Sequence, residues 1–212
     1  MQTAAIIFKN DEAFIVFVKN GFVKRFEELG GKVKAVESYN GYPSDFRSTL
    51  LKIHAQNPEV LVILGYDESG FILKQAREMG ISATLLGSDL FSSQAFFKNA
   101  GNAAAGSYFT FWKPDESTLS KQFLGNFKKE FGKEPEQILF TATGYDSMKM
   151  LSAAMKNCEN SEDTDCVKKE LKKIKNLPGL TGTLSMSQDN IVRTVREEMF
   201  VMEADGSFKP VK

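Results

Sequence analysis

The sequence predicts an α/β protein, a doubly wound parallel sheet accompanied by the helices of an incomplete second lobe. Three observations carry that expectation. From residue 4 to residue 111, short apolar runs alternate with helix-spaced patterns to give five strands, and such alternation lays strands side by side in parallel with helices over both faces. The stretch VLVILGYDESGFILKQAREMGISATLLGSD at 60–89 shows one unit most clearly, with an unbroken apolar strand closing at Gly65 and with Phe71, Ile72, Ala76 and Met79 at helical spacing. After Trp112-Lys113-Pro114-Asp115 the alternation stops, and helices follow one another with no strand between them.

Taken in order, residues 4–8 form the first strand and 11–29 a long helix stopped by Gly30-Gly31, because glycine just past a helix takes the left-handed conformation without penalty. Within that helix Phe14, Val18, Phe22 and Phe26 recur at the spacing of a buried stripe. Residues 32–38 give the second strand. The helix over 44–55 is opened by Ser44 and Asp45, whose side chains can accept from first-turn amides, and Asn57-Pro58 turns the chain into the third strand, 60–64. The fourth strand is 83–87, a short helix covers 94–99, and 107–111 is the fifth strand. Helices are then expected over 117–131, 137–157 and 165–176, a single strand over 180–185, and a closing hairpin of 197–203 and 207–211 across Asp205-Gly206. Phe123, Phe127, Phe131, Leu139, Phe140, Met148, Leu151 and Met155 line the two longer helices. Those faces ask for a sheet that residues 113–190 do not supply.

A chain of 212 residues can bury one sizeable core or two modest ones. Lysine plus arginine equals aspartate plus glutamate at 27 each, so no whole-chain field draws nucleic acid or an anionic membrane, and a nucleic-acid reader is disfavoured. No apolar run approaches the roughly 20 residues that span a bilayer. Met1 is followed almost at once by a strand with no signal-peptide pattern, which reads as a mature chain or a fragment. No nucleophile elbow, phosphate loop or paired-glycine motif is present, and the single histidine, His54, sits on a lysine-containing amphipathic helix as a surface residue. Binding without chemistry, cofactor or metal is the expectation.

The two cysteines lie in KNCENSEDTDCVKKEL, Cys158 near the end of one helix and Cys166 near the start of the next, with Asp163, Thr164 and Asp165 available to cap the second. This spacing suits a disulfide over a short helix-to-helix loop, which in the chain-entropy description stabilises by about 2–3 kcal/mol and implies an oxidising compartment. Two free thiols on a polar loop are the alternative, and a zinc site is disfavoured with His54 so distant in sequence.

In open α/β sheets ligands sit beyond the carboxyl ends of the strands, which here selects Tyr66 and Asp67 after the third strand and Ser88 and Asp89 after the fourth. Asp89 can accept charge-assisted hydrogen bonds from an ammonium group, and Tyr66 offers a flat apolar wall with a polar tip. Each also has a plainer reading, Asp89 as the cap of the helix near Ser92-Ser93 and Tyr66 as packing at the sheet end.

In their order and spacing, ELGGKV at 28–33, the stretch from Ser44-Asp45-Phe46 to Asn57-Pro58, GYDESGFILKQAREMG at 65–80, FGKEPE at 131–136, GYDSMKML at 144–151 and LPGLTGTLSMSQDN at 177–190 resemble the amino-acid-binding branch of the type I periplasmic binding proteins, the solute receptors of branched-chain amino-acid ABC transporters. The resemblance runs over nearly the whole chain. It implies a lobe 2 made of 1–112 and 194–212, and a returning part of lobe 1 over 113–193, with the amino-terminal part of lobe 1 absent. It also implies an extracytoplasmic, periplasmic location, an ABC permease as partner, and an amino acid or similar small polar ligand enclosed by hinge closure of two lobes.

The family's second-lobe aromatic and acidic ligand contacts fall on Tyr66 and Asp89. A third family position, an aromatic followed by glycine on the first helix, meets Phe14 or Phe17 in DEAFIVFVKNGF, where the glycines are missing. That departure points to core packing for Phe14 and to a ligand more apolar than a simple amino acid. Trp112 and the 187–193 region fall at lobe crossings, Trp112 reading equally as a buried anchor. The first-lobe donors that hold a ligand carboxylate in this family have no counterpart, so the resemblance implies half a site. Two further readings stay open: a ligand-sensing receptor module whose output is a partner protein, and a fragment whose uncovered helices pair with a second copy as a homodimer.

Overall fold

The computed structural model describes residues 1–112, 114, 117–189, 192 and 198–211. The elements in chain order are β1 (Thr3–Lys9), α1 (Ala13–Glu28), β2 (Lys32–Tyr39), α2 (Arg47–Ala55), β3 (Val60–Leu64), α3 (Ser69–Glu78), β4 (Thr84–Gly87), α4 (Gln94–Ala100), β5 (Tyr108–Phe111), α5 (Thr118–Phe131), α6 (Ile138–Met155), α7 (Thr164–Lys173), β6 (Leu177–Pro178), β7 (Thr183–Leu184), β8 (Glu198–Met202) and β9 (Phe208–Pro210). The chain divides into two compact units, Met1–Phe111 with Glu198–Lys212, and Trp112–Glu197. Positions 113, 193, 194 and 197, on which the expected boundaries and the start of the closing hairpin rest, lie outside the described residues.

Unit 1 is built on a seven-stranded sheet of order β2-β1-β3-β4-β5-β8-β9. The expected parallel strands pair as parallel neighbours from β2 to β5, and the closing hairpin continues the sheet antiparallel to β5. At its centre β1 and β3 run from Ala4 opposite Val60 to Phe8 opposite Leu64. Every one of these paired residues is buried, as expected for strands covered by helices on both faces. On one face α1 lays Ile15, Val18, Phe22 and Phe26 against Ala4, Ile6, Phe8, Val60, Val62 and Leu64, with the Phe22 and Phe26 rings stacked at 5.3 Å.

Phe14 does not belong to this stripe. It is 52% exposed, because the stripe is registered on Ile15, and a neighbour one residue away on a helix of 3.6 residues per turn faces about 100° elsewhere. The start of α2 also differs from expectation, at Arg47 rather than Ser44. Gln75 of α3 takes both backbone groups ahead of the helix, accepting from the Phe46 amide at 2.7 Å and donating to the Ser44 carbonyl at 2.7 Å. Asp45 accepts from the Arg47 amide at 3.0 Å from just outside the helix. At the far edge of the sheet Phe109, Phe111, Phe200 and Phe208 form one aromatic cluster, with edge-on contacts such as Phe109 to Phe208 at 5.2 Å. These rings join the antiparallel hairpin to β5.

Unit 2 holds α5, α6, α7 and the short hairpin β6-β7. Trp112 is 6% exposed and packs with Ala142 and Leu180, flanked by Leu119, Phe123, Ile138 and Leu139. Asp146 of α6, itself buried, accepts from the Leu180 amide at 2.7 Å and from the Thr181 amide and hydroxyl at 2.8 and 2.7 Å. This carboxylate overturns the expected single strand over 180–185. It draws residues 180–181 into a loop, so the chain doubles back as a two-stranded ladder with Leu177 opposite Leu184 and Pro178 opposite Thr183. Between α6 and α7 the Cys158–Cys166 disulfide is formed, and Asp163 caps α7 by accepting from the amides of Asp165 and Cys166 at 3.0 and 3.1 Å. Much of the apolar surface noted in the sequence stays uncovered, with Phe131, Phe140 and Met148 at 62%, 58% and 63% exposure.

Replacing Asp146 with Ala removes three hydrogen bonds at once, from the Leu180 amide and from the Thr181 amide and hydroxyl. Its expected effect is a loss of about 2–4 kcal/mol of stability, measured by urea unfolding followed at Trp112, the only tryptophan and a residue of the same unit. Reducing the disulfide is expected to lower the same transition by about 2–3 kcal/mol.

Candidate ligand-binding site

The order of the parallel strands locates the crevice. The chain steps outward from β1 to β2, then crosses to β3 and continues the other way through β4 and β5. Right-handed crossovers in opposite directions put their helices on opposite faces, so a gap opens at the carboxyl ends of β1 and β3. Lys9 closes β1, Tyr39 closes β2, Gly65 and Tyr66 follow β3, and Ser88 and Asp89 follow β4.

Behind this edge lies a polar cluster. Lys9 is 1% exposed, pairs with Asp11 at 3.1 Å and donates to the Gly41 carbonyl. Burial pulls the Lys9 ammonium towards deprotonation, but the hydrogen bond and charge of Asp11, then the charge of Glu68, outweigh it and raise its pKa above the ordinary lysine value. Asp11 is held below the usual carboxylate range by the Gly41 amide first and then, against desolvation, by Lys9. Glu68 is buried, and its Oε1 accepts from the Tyr39 hydroxyl at 2.9 Å and from the Tyr66 amide at 3.2 Å. Burial, reinforced by the Glu68 charge, pushes the Tyr39 phenol far above its usual value. Gly65 makes this approach possible, since a Cβ there would stand 1.9 Å from the Tyr39 hydroxyl oxygen.

Of the side chains singled out in the sequence, Tyr66 adjoins this cluster through its amide, and the others lie elsewhere along the edge or away from it. Tyr66 is half-buried, and its phenol is pushed above the usual value by desolvation first and then by the charge of the Glu12 carboxylate. Ser88 is buried and accepts from the Leu90 amide at 3.4 Å. Asp89 is half-buried and opens the 3-10 turn Asp89–Ser92. It does not cap α4: Ser93 does, accepting from the Phe96 amide at 3.0 Å. Asp67 ties down that same helix start, its Oδ1 accepting from Ser93 Oγ at 2.7 Å and its carbonyl from Asn99 Nδ2 at 2.9 Å.

Phe14 lies in the first turn of α1, which leaves the carboxyl end of β1. Trp112 belongs to unit 2 and is buried there. Sequence reasoning missed Lys9, Tyr39 and Glu68. For Lys9 and Tyr39 the available signal was a charged or phenolic residue at the last position of a strand, and for Glu68 an acid in the turn that follows one, the places where the carboxyl-end rule directs attention.

An aromatic wall, hydroxyls and carboxylates at a strand edge suit recognition of a small ligand with a cationic group. Among the described residues no group of three or more His, Cys, Asp or Glu is arranged to hold a metal ion, and no helix is long and apolar enough to cross a membrane.

Comparison with known proteins agrees with this architecture. The chain is similar to a Leu/Ile/Val-binding protein of Rhizobium johnstonii, 24% identical over 161 residues, covering 76% of this chain and 43% of the relative. A Leu/Ile/Val-binding protein homologue of Brucella melitensis is 25% identical over 146 residues, with 68% and 39% covered. The chain thus spans less than half the length of the curated relatives it matches.

Among solved structures, a leucine binding protein from Thermotoga maritima superposes with a TM-score of 0.87 at 24% identity over 100% of this chain and 60% of that one. The branched-chain amino acid transporter substrate binding protein of Streptococcus pneumoniae, in complex with isoleucine, gives 0.77 at 29% identity over 99% and 60%. A family model described as periplasmic binding protein matches residues 2–209. With that match spanning nearly every residue and the strand order carrying the same fold, this chain belongs to the periplasmic binding protein family, with the type I architecture.

Proposed function

We propose that this chain carries the solute-recognition surface of an extracytoplasmic receptor for an ABC importer, and that it binds an amino acid or similar small ligand at the carboxyl edge of β1, β3 and β4 without chemistry. The observation that carries the reading is the placement of Tyr66 and Asp89 at the ends of neighbouring strands, β3 and β4, beside the switch point of the sheet. In it Asp89 accepts from the ligand ammonium, Tyr66 and Phe14 face its apolar part, and Ser88 and Asp67 hold the edge in shape. Trp112 anchors the start of unit 2. The relative from Streptococcus pneumoniae, in complex with isoleucine, supports an amino-acid ligand, and the disulfide suits an oxidising compartment.

Isothermal titration with isoleucine, leucine and valine tests this. Asp89→Ala is expected to cost about 1.5–3 kcal/mol of binding, the range for a lost charge-assisted hydrogen bond. Unchanged affinity would remove Asp89 from the site, and no binding by the unsubstituted protein would remove the reading altogether.

A second reading, self-association through unit 2, is favoured by the exposure of Phe131, Phe140 and Met148. Apolar patches of this kind mark interaction surfaces, and a second copy is the partner always at hand. Sedimentation at micromolar concentration is expected to show a dimer that Phe140→Ser with Met148→Ser returns to monomer; a monomer throughout would discard it.

A further inference from the structure

The loop between β2 and α2 presents a residue that these ligand contacts leave unused. Tyr42 is 74% exposed, yet its ring is held in place, with Lys9 Nζ 4.1 Å from the ring centroid. The same ammonium donates to the Gly41 carbonyl, and Asp11, its ion-pair partner, accepts from the Gly41 amide at 2.8 Å. Gly41 has φ +67°, a conformation that suits glycine and few other residues. An ammonium is costly to bury unless its protons are partnered, and two of the groups that partner this one belong to the loop. A buried charge is thus committed to fixing an exposed aromatic ring.

The cluster also reaches Tyr66. Glu68, 4% exposed, acts electrostatically on Lys9 while its Oε1 holds the Tyr66 amide and the Tyr39 hydroxyl. Its Oε2 and the hydroxyl of Ser69 are buried with no hydrogen-bond partner. The β1–β3 register sets Phe8 opposite Leu64, which places Lys9 and the Tyr42 ring over it next to the strand end that Tyr66 follows, and both Tyr42 and Lys9 act electrostatically on Tyr66. One set of buried groups therefore fixes both aromatic residues at the strand edge, one through its ring and the other through its backbone. Packing alone would bury the Tyr42 ring, whereas most of it faces outward.

We infer that Tyr42 is a second aromatic wall of the ligand site, beside Tyr66, and that it sets a preference for ligands with a large apolar or planar side chain over small ones. The inference rests on the solute-binding reading above. An outward ring gains contact area in proportion to what the ligand lays against it, so its effect falls on phenylalanine and leucine and hardly on alanine.

The test is calorimetric titration of the unsubstituted protein and of Tyr42→Ala, Tyr42→Leu and Tyr42→Phe with phenylalanine, leucine and alanine, with thermal melts alongside. Tyr42→Ala is expected to weaken phenylalanine binding by about tenfold and alanine binding by no more than about twofold, while Tyr42→Phe keeps the preference. Tyr42→Leu retains bulk over Lys9 and is expected to lose the planar ligand selectively, which keeps the test open should Tyr42→Ala melt early. Equal losses for all three ligands would assign Tyr42 a purely structural role, and no loss would place it outside the site; either overturns the inference. Failure of the unsubstituted protein to bind any of the three sinks the solute-binding reading and this inference with it, and its own titration separates that result from the others.

Discussion

Strands β1 and β3 carry apolar side chains on both faces from Ala4 to Phe8 and from Val60 to Leu64, and this double apolar surface governs unit 1. Such a pair is stable in water only when helices cover it on both sides. Right-handed crossovers can supply both layers only if the chain reverses its direction of travel across the sheet at this pair. The reversal parts the loops that follow β1 and β3, so the demand for burial at the centre creates the crevice at the edge. The ligand site proposed for the chain is in this sense a by-product of core burial.

The polar groups at that edge sit where the sheet's apolar interior ends. Lys9 follows four fully buried residues and a nearly buried phenylalanine in β1, so its side chain cannot return to bulk water without leaving the strand. Asp11, Gly41 and the Tyr42 ring satisfy it locally. Glu68 does the same for the other side, accepting from Tyr39 and Tyr66. Buried charges of this kind add little net stability, because desolvation offsets most of the attraction. They do hold geometry, since any displacement leaves a charge unpartnered. Rigid placement of loop residues is what a recognition surface needs, as ordering them on binding would otherwise consume affinity.

Unit 2 solves a different problem with less material. Among the described residues its helices have only the two-stranded β6-β7 ladder for a sheet, and two devices help to hold them: the Asp146 carboxylate, which ties α6 to the 180–181 loop, and the disulfide, which ties the end of α6 to α7. Neither covers the outward apolar side chains of α5 and α6. Phe131, Phe140 and Met148 are left facing solvent, so the energetic interest of this unit lies in what its surface meets.

The order of strands and helices was legible in the sequence because each unit of the parallel sheet carries its own period, an apolar run of strand length followed by helical spacing. The neighbourhood of the disulfide was legible for a similar reason, as Asp163 and Cys166 act within a few residues of one another. Tyr66 and Asp89 could be named because a strand end is a local feature and the carboxyl-end rule applies to whatever residue stands there. Local pattern failed where a distant partner decided the outcome. Phe14 and Ile15 are both apolar neighbours on α1, and only the approach of β1 and β3 selected Ile15 for the core. Residues 180–185 read as one strand until the carboxylate of Asp146, more than thirty positions earlier, claimed the amides of Leu180 and Thr181. The Lys9, Tyr42 and Glu68 cluster joins three segments far apart in the chain. By itself the sequence determined which segments become strands and helices and which residues end them, since hydrophobic period and turn chemistry act over a few residues. Only the tertiary structure decided which face of α1 is buried and which polar groups share the strand edge, because those depend on pairings that no local spacing encodes.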